Sequence, residues 1–223
     1  MKTVGIIAAM SKEARLVEAM LTEVKTFQAG GTRFFSGYLG ENQIVLAQCG
    51  IGKVCAAAGA VELINRYHPE IIINTGAAGG IAPGLNVMDV IAAERSAYYD
   101  VYCGGEPGCV QDFPRFFGSD EKLLDVCKSL NIRCGLIAGG DKFITREEEV
   151  REIKKIYPEA LAVDMESAAI AQVCYMYKVP FISLRVISDT PGVENHAEQY
   201  ENFWETAGEE SFKILKQLLE KLR

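Results

Sequence analysis

The sequence predicts an α/β fold in which a central, mixed β-sheet is flanked by helices. Three observations favour this fold: short apolar runs of strand length, segments of helical periodicity between them, and one strand pair joined without a helix. Runs that are apolar throughout are typical of strands buried on both faces of a sheet. The strand pair breaks strict strand–helix alternation, so the sheet is expected to be mixed.

Seven segments are predicted to be strands. Six are short apolar runs, whereas Thr32–Leu39 alternates in polarity and is interpreted as an outer strand. Gly40, Glu41 and Asn42 join it to the next strand as a hairpin. In chain order, the predicted strands are Val4–Ala9, Thr32–Leu39, Ile44–Cys49, Ile71–Asn74, Val87–Ala93, Cys134–Ala138 and Phe181–Ile187.

Six segments have the 3.6-residue periodicity of helices packed on one side. Ser11 is predicted to cap the first of them, and Pro69 follows the end of the second. In the last helix, an apolar stripe consists of Phe203, Ala207, Ile214, Leu218 and Leu222. In chain order, the predicted helices are Ser11–Leu21, Lys53–Tyr67, Asp120–Leu130, Arg146–Ile156, Asp164–Tyr177 and Tyr200–Leu222.

The composition is that of a globular protein and excludes several classes of function. The 223 residues are 49% hydrophobic with a formal net charge of −7, and we expect one domain over residues 1–223. No nucleic-acid partner is expected, because such surfaces are usually basic. No membrane association is expected either, because no apolar run approaches the roughly 20 residues of a span.

The cysteines and the N-terminus indicate a cytoplasmic protein. The seven cysteines include no CxxC pair, and we interpret them as reduced and mostly buried thiols. The apolar run that follows Met1 is too short for a signal peptide. The least regular stretch is 100–118, which is rich in glycine, proline and phenylalanine, and such long loops are usually functional or mobile.

Ligands of open α/β sheets bind at the carboxyl ends of strands, and four predicted strand ends carry candidate site residues. Glu13 follows the first strand in the first helical turn, and a glycine-rich segment, 74–80, follows the fourth. That segment lacks the GxGxxG pattern and the lysine of a phosphate-binding loop, so a dinucleotide or triphosphate site is not expected.

The other two places are acidic. Asp164 and Glu166 stand where an apolar stretch turns into a helix, and Arg185 and Asp189 belong to the last strand. Each place has an ordinary structural explanation, namely a helix N-cap or an ion pair. His68, beside Pro69, and His196, in a polar loop, are interpreted in the same way as surface or capping residues.

Together and in this order, these segments resemble the 5′-methylthioadenosine/S-adenosylhomocysteine nucleosidases, which belong to the nucleoside phosphorylase-like family. The resemblance covers nearly the whole chain apart from 100–118. The matching segments are 5–10 with Glu13, 50–54, 73–80, 140–144, 164–166, and Arg185 with 187–189.

The resemblance implies a nucleoside phosphorylase-like fold, a small-molecule nucleoside substrate and no metal or organic cofactor. It also implies a homodimer in which the 100–118 region lies near the partner's site. The implied reaction is hydrolysis of the N-glycosidic bond of methylthioadenosine and S-adenosylhomocysteine, which releases adenine and clears by-products of S-adenosylmethionine use.

The resemblance also implies roles for single residues. Asp189 would be the general acid at the purine, Glu13 the base that activates water, and Arg185 an orienter of that water or of a carboxylate. Glu166 and the backbone of Met165 would hold the ribose. At the purine, the ring of Phe143 would stack on the base and backbone groups of Ile144 would read its edge. The remaining residues expected at the substrate are Ser188 beside the acid, Tyr200 over the ligand, and Met10, Ala77, Gly79 and Asp164.

Three departures from the family pattern bear on specificity. Ala77 replaces a usual serine, Asp164 replaces a usual glutamate, and the stretch 100–118 differs from the family's. The preferred 5′ substituent therefore stays open. Two alternatives also stay open: a phosphate-dependent purine nucleoside phosphorylase, and a nucleoside-binding sensor without catalysis.

Overall fold

The computed structural model describes residues 1–206 and 209–222. It confirms the predicted α/β fold with a mixed sheet flanked by helices. The strands are β1 (Thr3–Ala8), β2 (Thr22–Ala29), β3 (Thr32–Leu39), β4 (Asn42–Gln48), β5 (Ile71–Gly80), β6 (Val90–Tyr98), β7 (Phe117–Gly118), β8 (Arg133–Gly139), β9 (Ala162–Asp164) and β10 (Phe181–Asp189). The helices are α1 (Ser11–Glu18), α2 (Lys53–Tyr67), α3 (Glu121–Ser129), α4 (Glu147–Ile156), α5 (Ser167–Tyr177), α6 (His196–Thr206) and α7 (Glu209–Lys221).

Half of the sheet closes on itself. Strand β10 pairs with β6 on one side and with β5 on the other, and β8 and β9 complete a ring of five strands. From β5 the sheet continues outward through β1, β4 and β3 to β2. Strands β1, β4, β5 and β10 run parallel, so their carboxyl ends meet at one edge.

Two helical layers cover the sheet. On one face, α1, α3 and α7 bury an apolar cluster that includes Val17, Leu123 and Leu218. On the other face, α2 and α5 pack with residues such as Leu63 and Ile170 against the strands. Burial of apolar area on both faces is the main stabilising contribution, at about 25 cal/mol per Å².

The structure corrects the strand predictions in several places, and β2, β7 and β9 were not predicted. Thr32–Leu39 is not the outer strand, because the unpredicted β2 pairs with it and forms the edge. The glycine-rich segment after Asn74 is not a turn but the second half of β5. The predicted strand Val87–Ala93 begins only at Val90 and extends to Tyr98.

Several helix boundaries also differ from the predictions; for example, α1 ends at Glu18 and α5 begins at Ser167. Met10, not Ser11, is the N-cap of α1, because the Glu13 carboxylate bonds back to the Met10 backbone. The predicted helix Tyr200–Leu222 is two helices, α6 and α7, and Ala207 of its stripe lies outside the described residues. The C-cap of α2 is His68, as the capping interpretation of this histidine expects.

All seven cysteines lie within the described residues, and all are free thiols. Only Cys49, Cys127 and Cys174 are fully buried, so the expectation of mostly buried thiols was wrong. Among the helices that the structure describes, none combines the length and the apolarity that a transmembrane span requires.

Candidate active site

A cavity of about 350 Å³ opens at the edge where the parallel strands end. Its volume lies in the range of small-molecule sites. Four of its lining side chains are acidic, and among the described residues that line it none is lysine, arginine or histidine. The lining residues are Ala9, Met10, Glu13, Ile51, Ala77, Ala78, Gly79, Phe143, Val163, Asp164, Met165, Glu166, Ser188, Asp189 and Tyr200.

The structure brings most of the predicted site residues to this cavity. Two do not line it: Ile144, whose side chain is buried in an apolar cluster with Ile153 and Tyr157, and Arg185, which is completely buried. The role expected of Ile144 belongs to its backbone groups, so the burial of its side chain does not test that role. The buried Arg185 is placed to orient carboxylates and does not line the cavity. The sequence interpretation assigned no role to Ala9, Ile51, Ala78 and Val163, although all four belong to or adjoin the matching segments.

Glu13 is held at the end of β1 by backbone donors. Its Oε2 accepts hydrogen bonds from the amides of Ala9 at 2.9 Å and Met10 at 2.8 Å, and Oε1 accepts one from Ala77 at 3.1 Å. Burial raises the pKa of this carboxyl above its usual value, against the lowering effects of Arg185 and the three amides. Glu13 is therefore rigidly placed and more basic than an exposed glutamate.

Gly76 makes room for this arrangement. Its φ is +154°, and a Cβ at this position would lie 2.5 Å from Glu13 Oε1 and 2.6 Å from Arg185 Nη1. Real Cβ contacts are never that short, so a carboxylate and a guanidinium approach the backbone here only because there is no side chain.

Arg185 lies under the cavity floor on β10, opposite Gly76 of β5. It forms an ion pair with Asp164, and its Nη2 lies 3.4 Å from Glu166 Oε2. Although burial acts to lower its pKa, the nearby carboxylates raise the pKa above the usual value. The guanidinium therefore stays charged and supplies the positive charge that buried acids need.

Glu166 and Asp164 occupy different positions around that charge. Asp164 was expected as a possible N-cap, but the N-cap of α5 is Glu166, while Asp164 accepts a hydrogen bond from the Ser167 amide at 3.1 Å. Glu166 Oε1 accepts one from the Gly52 amide at 3.0 Å. Burial, with the charges of Asp164 and Glu13 adding to it, raises the pKa of Glu166 to about 7.

Asp189 ends β10 in a sheltered position. Ser188 donates a hydrogen bond of 2.6 Å to its Oδ1, whereas Oδ2 is buried and has no hydrogen-bond partner among the described residues. Burial raises the pKa of Asp189 above its usual value, and Ser188 and His196 act against this. A carboxyl with a raised pKa and one unused oxygen is suited to carry a proton to a ligand.

Aromatic side chains form the rim of the cavity. The ring of Phe143 lies 5.3 Å from that of Tyr200 and 6.4 Å from that of His196. The hydroxyl of Tyr200 lies 3.7 Å from Met10 Sδ, across the opening. Phe143 is 48% exposed, which leaves one face of its ring free to stack on a planar ligand.

A polar cluster of Lys53, Asp100 and Asp141 connects three chain segments beside the rim. Lys53 Nζ lies 2.9 Å from Asp100, and the Lys53 amide donates a 2.7 Å hydrogen bond to Asp141 Oδ1. The Asp141 amide in turn donates to Asp100 Oδ2 at 2.8 Å. These contacts join the matching segments 50–54 and 140–144, and so fix both Ile51 and Phe143 at the cavity.

No cluster of three or more potential metal ligands occurs in the parts of the chain that the structure describes, 1–206 and 209–222.

Known proteins resemble this chain over its whole length. The family profile described as Phosphorylase superfamily matches residues 3–220. The 5′-methylthioadenosine/S-adenosylhomocysteine nucleosidase of Tolumonas auensis is 35% identical over 229 residues, which cover 98% of this chain and 99% of that protein.

Two solved structures have the same fold. The nucleosidase of that name from Neisseria meningitidis, in complex with methylthio-immucillin-A, superposes with a TM-score of 0.94 at 36% identity and full coverage of both chains. The one from Colwellia psychrerythraea, in complex with adenine, has a TM-score of 0.92 at 35% identity and covers 99% of this chain and 96% of that chain.

Proposed function

The chain belongs to the phosphorylase superfamily and, within it, to the 5′-methylthioadenosine/S-adenosylhomocysteine nucleosidases, and from that membership we propose which of its residues perform the reaction. The enzyme hydrolyses the N-glycosidic bond of methylthioadenosine and S-adenosylhomocysteine and releases adenine. The observation that supports the residue assignment is the meeting of Glu13, Glu166 and Asp189, from three distant chain segments, at one cavity.

Asp189 is the general acid. Its buried Oδ2, which has no partner among the described residues, delivers a proton or a hydrogen bond to N7 of the purine as the N9–C1′ bond breaks. The raised pKa keeps the carboxyl protonated closer to neutral pH than an exposed aspartate. Phe143 stacks on the departing base, and backbone groups of Ile144 read its edge.

Glu13 is the base. It accepts a proton from water as the water oxygen bonds to C1′, so that the sugar leaves with a hydroxyl group and adenine leaves with the proton from Asp189. The backbone donors on both of its oxygens fix its direction. Arg185 orients the acids from below, and it is not a substrate contact.

Glu166 holds the ribose hydroxyls. As a carboxylate beside the sugar it also stabilises the positive charge that develops on the ribose in the transition state. Met10, Met165, Ala77, Gly79 and Tyr200 enclose the nucleoside, and Ser188 supports Asp189 through its 2.6 Å hydrogen bond.

The acidic lining supports water rather than phosphate as the attacking group. Four carboxyl groups line the cavity, and its described lining residues include no cationic side chain. A phosphate dianion would be repelled there, whereas a neutral water molecule would not. The test is adenine release from methylthioadenosine in phosphate-free buffer: turnover supports the assignment, and turnover that requires added phosphate would identify a phosphorylase.

We further propose that the enzyme is a cytoplasmic homodimer whose 100–118 region lies near the partner's site. Val54 on α2 is 80% exposed, and Tyr175 and Met176 at the end of α5 are 56% and 55% exposed. The ring of Phe113 lies 6.4 Å from that of Tyr175, so the 100–118 region contacts the exposed end of α5. Light scattering should give twice the 24.4 kDa chain mass, and a monomer would contradict the proposal.

We also propose that residues 1–223 form one domain. The family match over residues 3–220 and the continuity of the sheet support this.

The proposed cytoplasmic location has separate support, because free thiols at all seven cysteines are consistent with a reducing compartment.

A further inference from the structure

The guanidinium of Arg185 is surrounded by more carboxylates than it can neutralise. Asp164 and Glu166 contact it, and Glu13 acts on it through space. All four side chains are almost completely buried, where an unpaired charge is costly. The carboxylate that pairs with the guanidinium therefore determines how much charge and hydrogen-bonding capacity the other two carboxyl groups keep.

Asp164 holds the guanidinium more closely than Glu166 does. Asp164 pairs directly with Arg185 Nη2, and its other contacts, from the amide and hydroxyl of Ser167, fix the carboxylate in place. The Arg185–Glu166 distance of 3.4 Å is long for a charge-assisted hydrogen bond, which is usually about 2.7–2.9 Å. Glu166 Oε2 therefore keeps its capacity to accept hydrogen bonds at the cavity.

Neutral groups also hold the guanidinium in place. Arg185 Nη2 donates to Asn74 Oδ1 at 2.7 Å, and Nε donates to the Ser167 hydroxyl at 3.3 Å. The Ser183 hydroxyl donates to the same Asn74 oxygen at 3.0 Å, and the Asn74 amide group donates to the Ile7 carbonyl at 3.1 Å. The groups that hold Arg185 in place, directly or through Asn74, thus come from β1, β5, α5 and β10.

We infer that Asp164 is a positioning residue: by holding Arg185 it keeps the Glu166 carboxylate free to bind the ribose hydroxyls of the substrate. The inference rests on the ribose-binding role proposed above for Glu166. Ser167 supports this role of Asp164, because its hydroxyl bridges Asp164 and the guanidinium.

The charges around Glu166 give this inference a measurable consequence. The groups that face it are Glu13 from α1, Cys49 after β4, Asp164 from β9, Arg185 from β10 and Tyr200 from α6. Removal of the Asp164 charge removes a group that raises the pKa of Glu166 and frees Arg185 to lower that pKa further. The pH dependence of substrate binding should therefore shift with Asp164.

The experiment measures kcat and KM for methylthioadenosine in phosphate-free buffer from about pH 5 to pH 9. For Asp164→Asn, we expect KM at the alkaline end of this pH range to rise about 10-fold, because Arg185 then pairs with the Glu166 carboxylate. We expect kcat to change by less than about 3-fold. The pH below which KM rises should move from about 7 in the wild type to a lower value. Asp164→Glu, which keeps the charge, should remain within about 3-fold of the wild type.

The matched control is Glu159→Gln, which removes one carboxylate that pairs with an arginine at the surface, Arg95, far from these groups. It should leave both KM and its pH dependence unchanged. If Asp164→Asn does not fold, Ser167→Ala serves as the second variant, because it removes the hydroxyl between Asp164 and Arg185 and should raise KM in the same direction.

Two results would overturn the inference. One is an unchanged KM–pH profile in the folded variant, and the other is a loss confined to kcat. Both presuppose an active wild-type enzyme, whereas a wild type that releases no adenine under these conditions would overturn the proposed function instead.

Discussion

Ser188 donates a 2.6 Å hydrogen bond to Oδ1 of Asp189, and the other carboxylate oxygen, Oδ2, stays buried without a partner among the described residues. Buried polar atoms in native proteins almost always have a partner. Asp189 Oδ2 is an exception, and it lies at the cavity wall, where a substrate atom can supply the partner. The pair therefore marks the place at which the leaving base is expected to receive its proton.

Replacement of Asp189 by asparagine should lower kcat by about 10²–10⁴-fold, because the amide has nearly the same shape but is no acid. Adenine release measures the effect. The melting temperature should stay close to that of the wild type, since the amide still accepts the Ser188 bond. A variant with near-normal kcat would remove Asp189 from the role of general acid.

Glu13→Gln should likewise lower kcat by about 10²–10⁴-fold, while KM changes little. The amide oxygen can still accept the hydrogen bonds from Ala9 and Met10, whereas the amide NH2 group cannot accept the one from Ala77. The side chain can no longer take a proton from water. Titration of the variant with the substrate by calorimetry checks that binding persists. Loss of binding together with activity would mean that Glu13 holds the substrate and does not activate water.

Gly76→Ala should abolish activity and destabilise the protein by about 2 kcal/mol or more, because strained backbone and steric overlap act together. The new Cβ would displace the Glu13 carboxylate and the Arg185 guanidinium. Thermal unfolding and adenine release measure the two effects.

Gly84→Ala is the matched control for that variant. Gly84 also has a positive φ, +77°, but its Cβ would meet nothing within 4 Å. We expect a loss of stability with normal activity. Equal losses of activity in both variants would show that backbone strain, and not displacement of Glu13 and Arg185, inactivates Gly76→Ala.

The buried acids should make the protein less stable as the pH rises. A carboxyl whose pKa is raised by folding binds its proton more tightly in the folded state. Its contribution to stability is therefore complete at pH values below the unfolded-state pKa, and it is lost as the pH rises through the folded-state pKa. For Glu166 that window runs from its ordinary value of 4.5 to about 7.

Melting temperatures across this window test the linkage. The wild type should lose more stability than Glu166→Gln between about pH 5 and pH 8, because the variant lacks the titrating group. Equal losses in the two proteins would show that the pKa of Glu166 is not raised by folding.

The sequence predicted the parts of the fold whose patterns are strong. Strand β3 and helix α2 have the predicted boundaries, since a tight hairpin and a long alanine-rich helix are local features. Strand β2 escaped prediction because it is a mostly exposed edge strand with a bulge after Thr22. Strand β9 is only three residues long, and its pairing with β5 and β8 depends on closure of the ring.

The site was predictable where residues follow strand ends, and less so where contacts cross the sheet. Glu13, Glu166 and Asp189 were found because strand ends are informative positions in α/β folds. The placement of Arg185 below the cavity, held by Asp164 and Asn74, depends on the register of β10 against β5, which no local pattern reveals.

The most direct test of the account is the identity of the sugar product when methylthioadenosine is cleaved in the presence of phosphate. Because the cavity is lined by carboxyl groups, the account predicts free 5-methylthioribose alone, at a rate that phosphate does not increase. Formation of 5-methylthioribose 1-phosphate would contradict it.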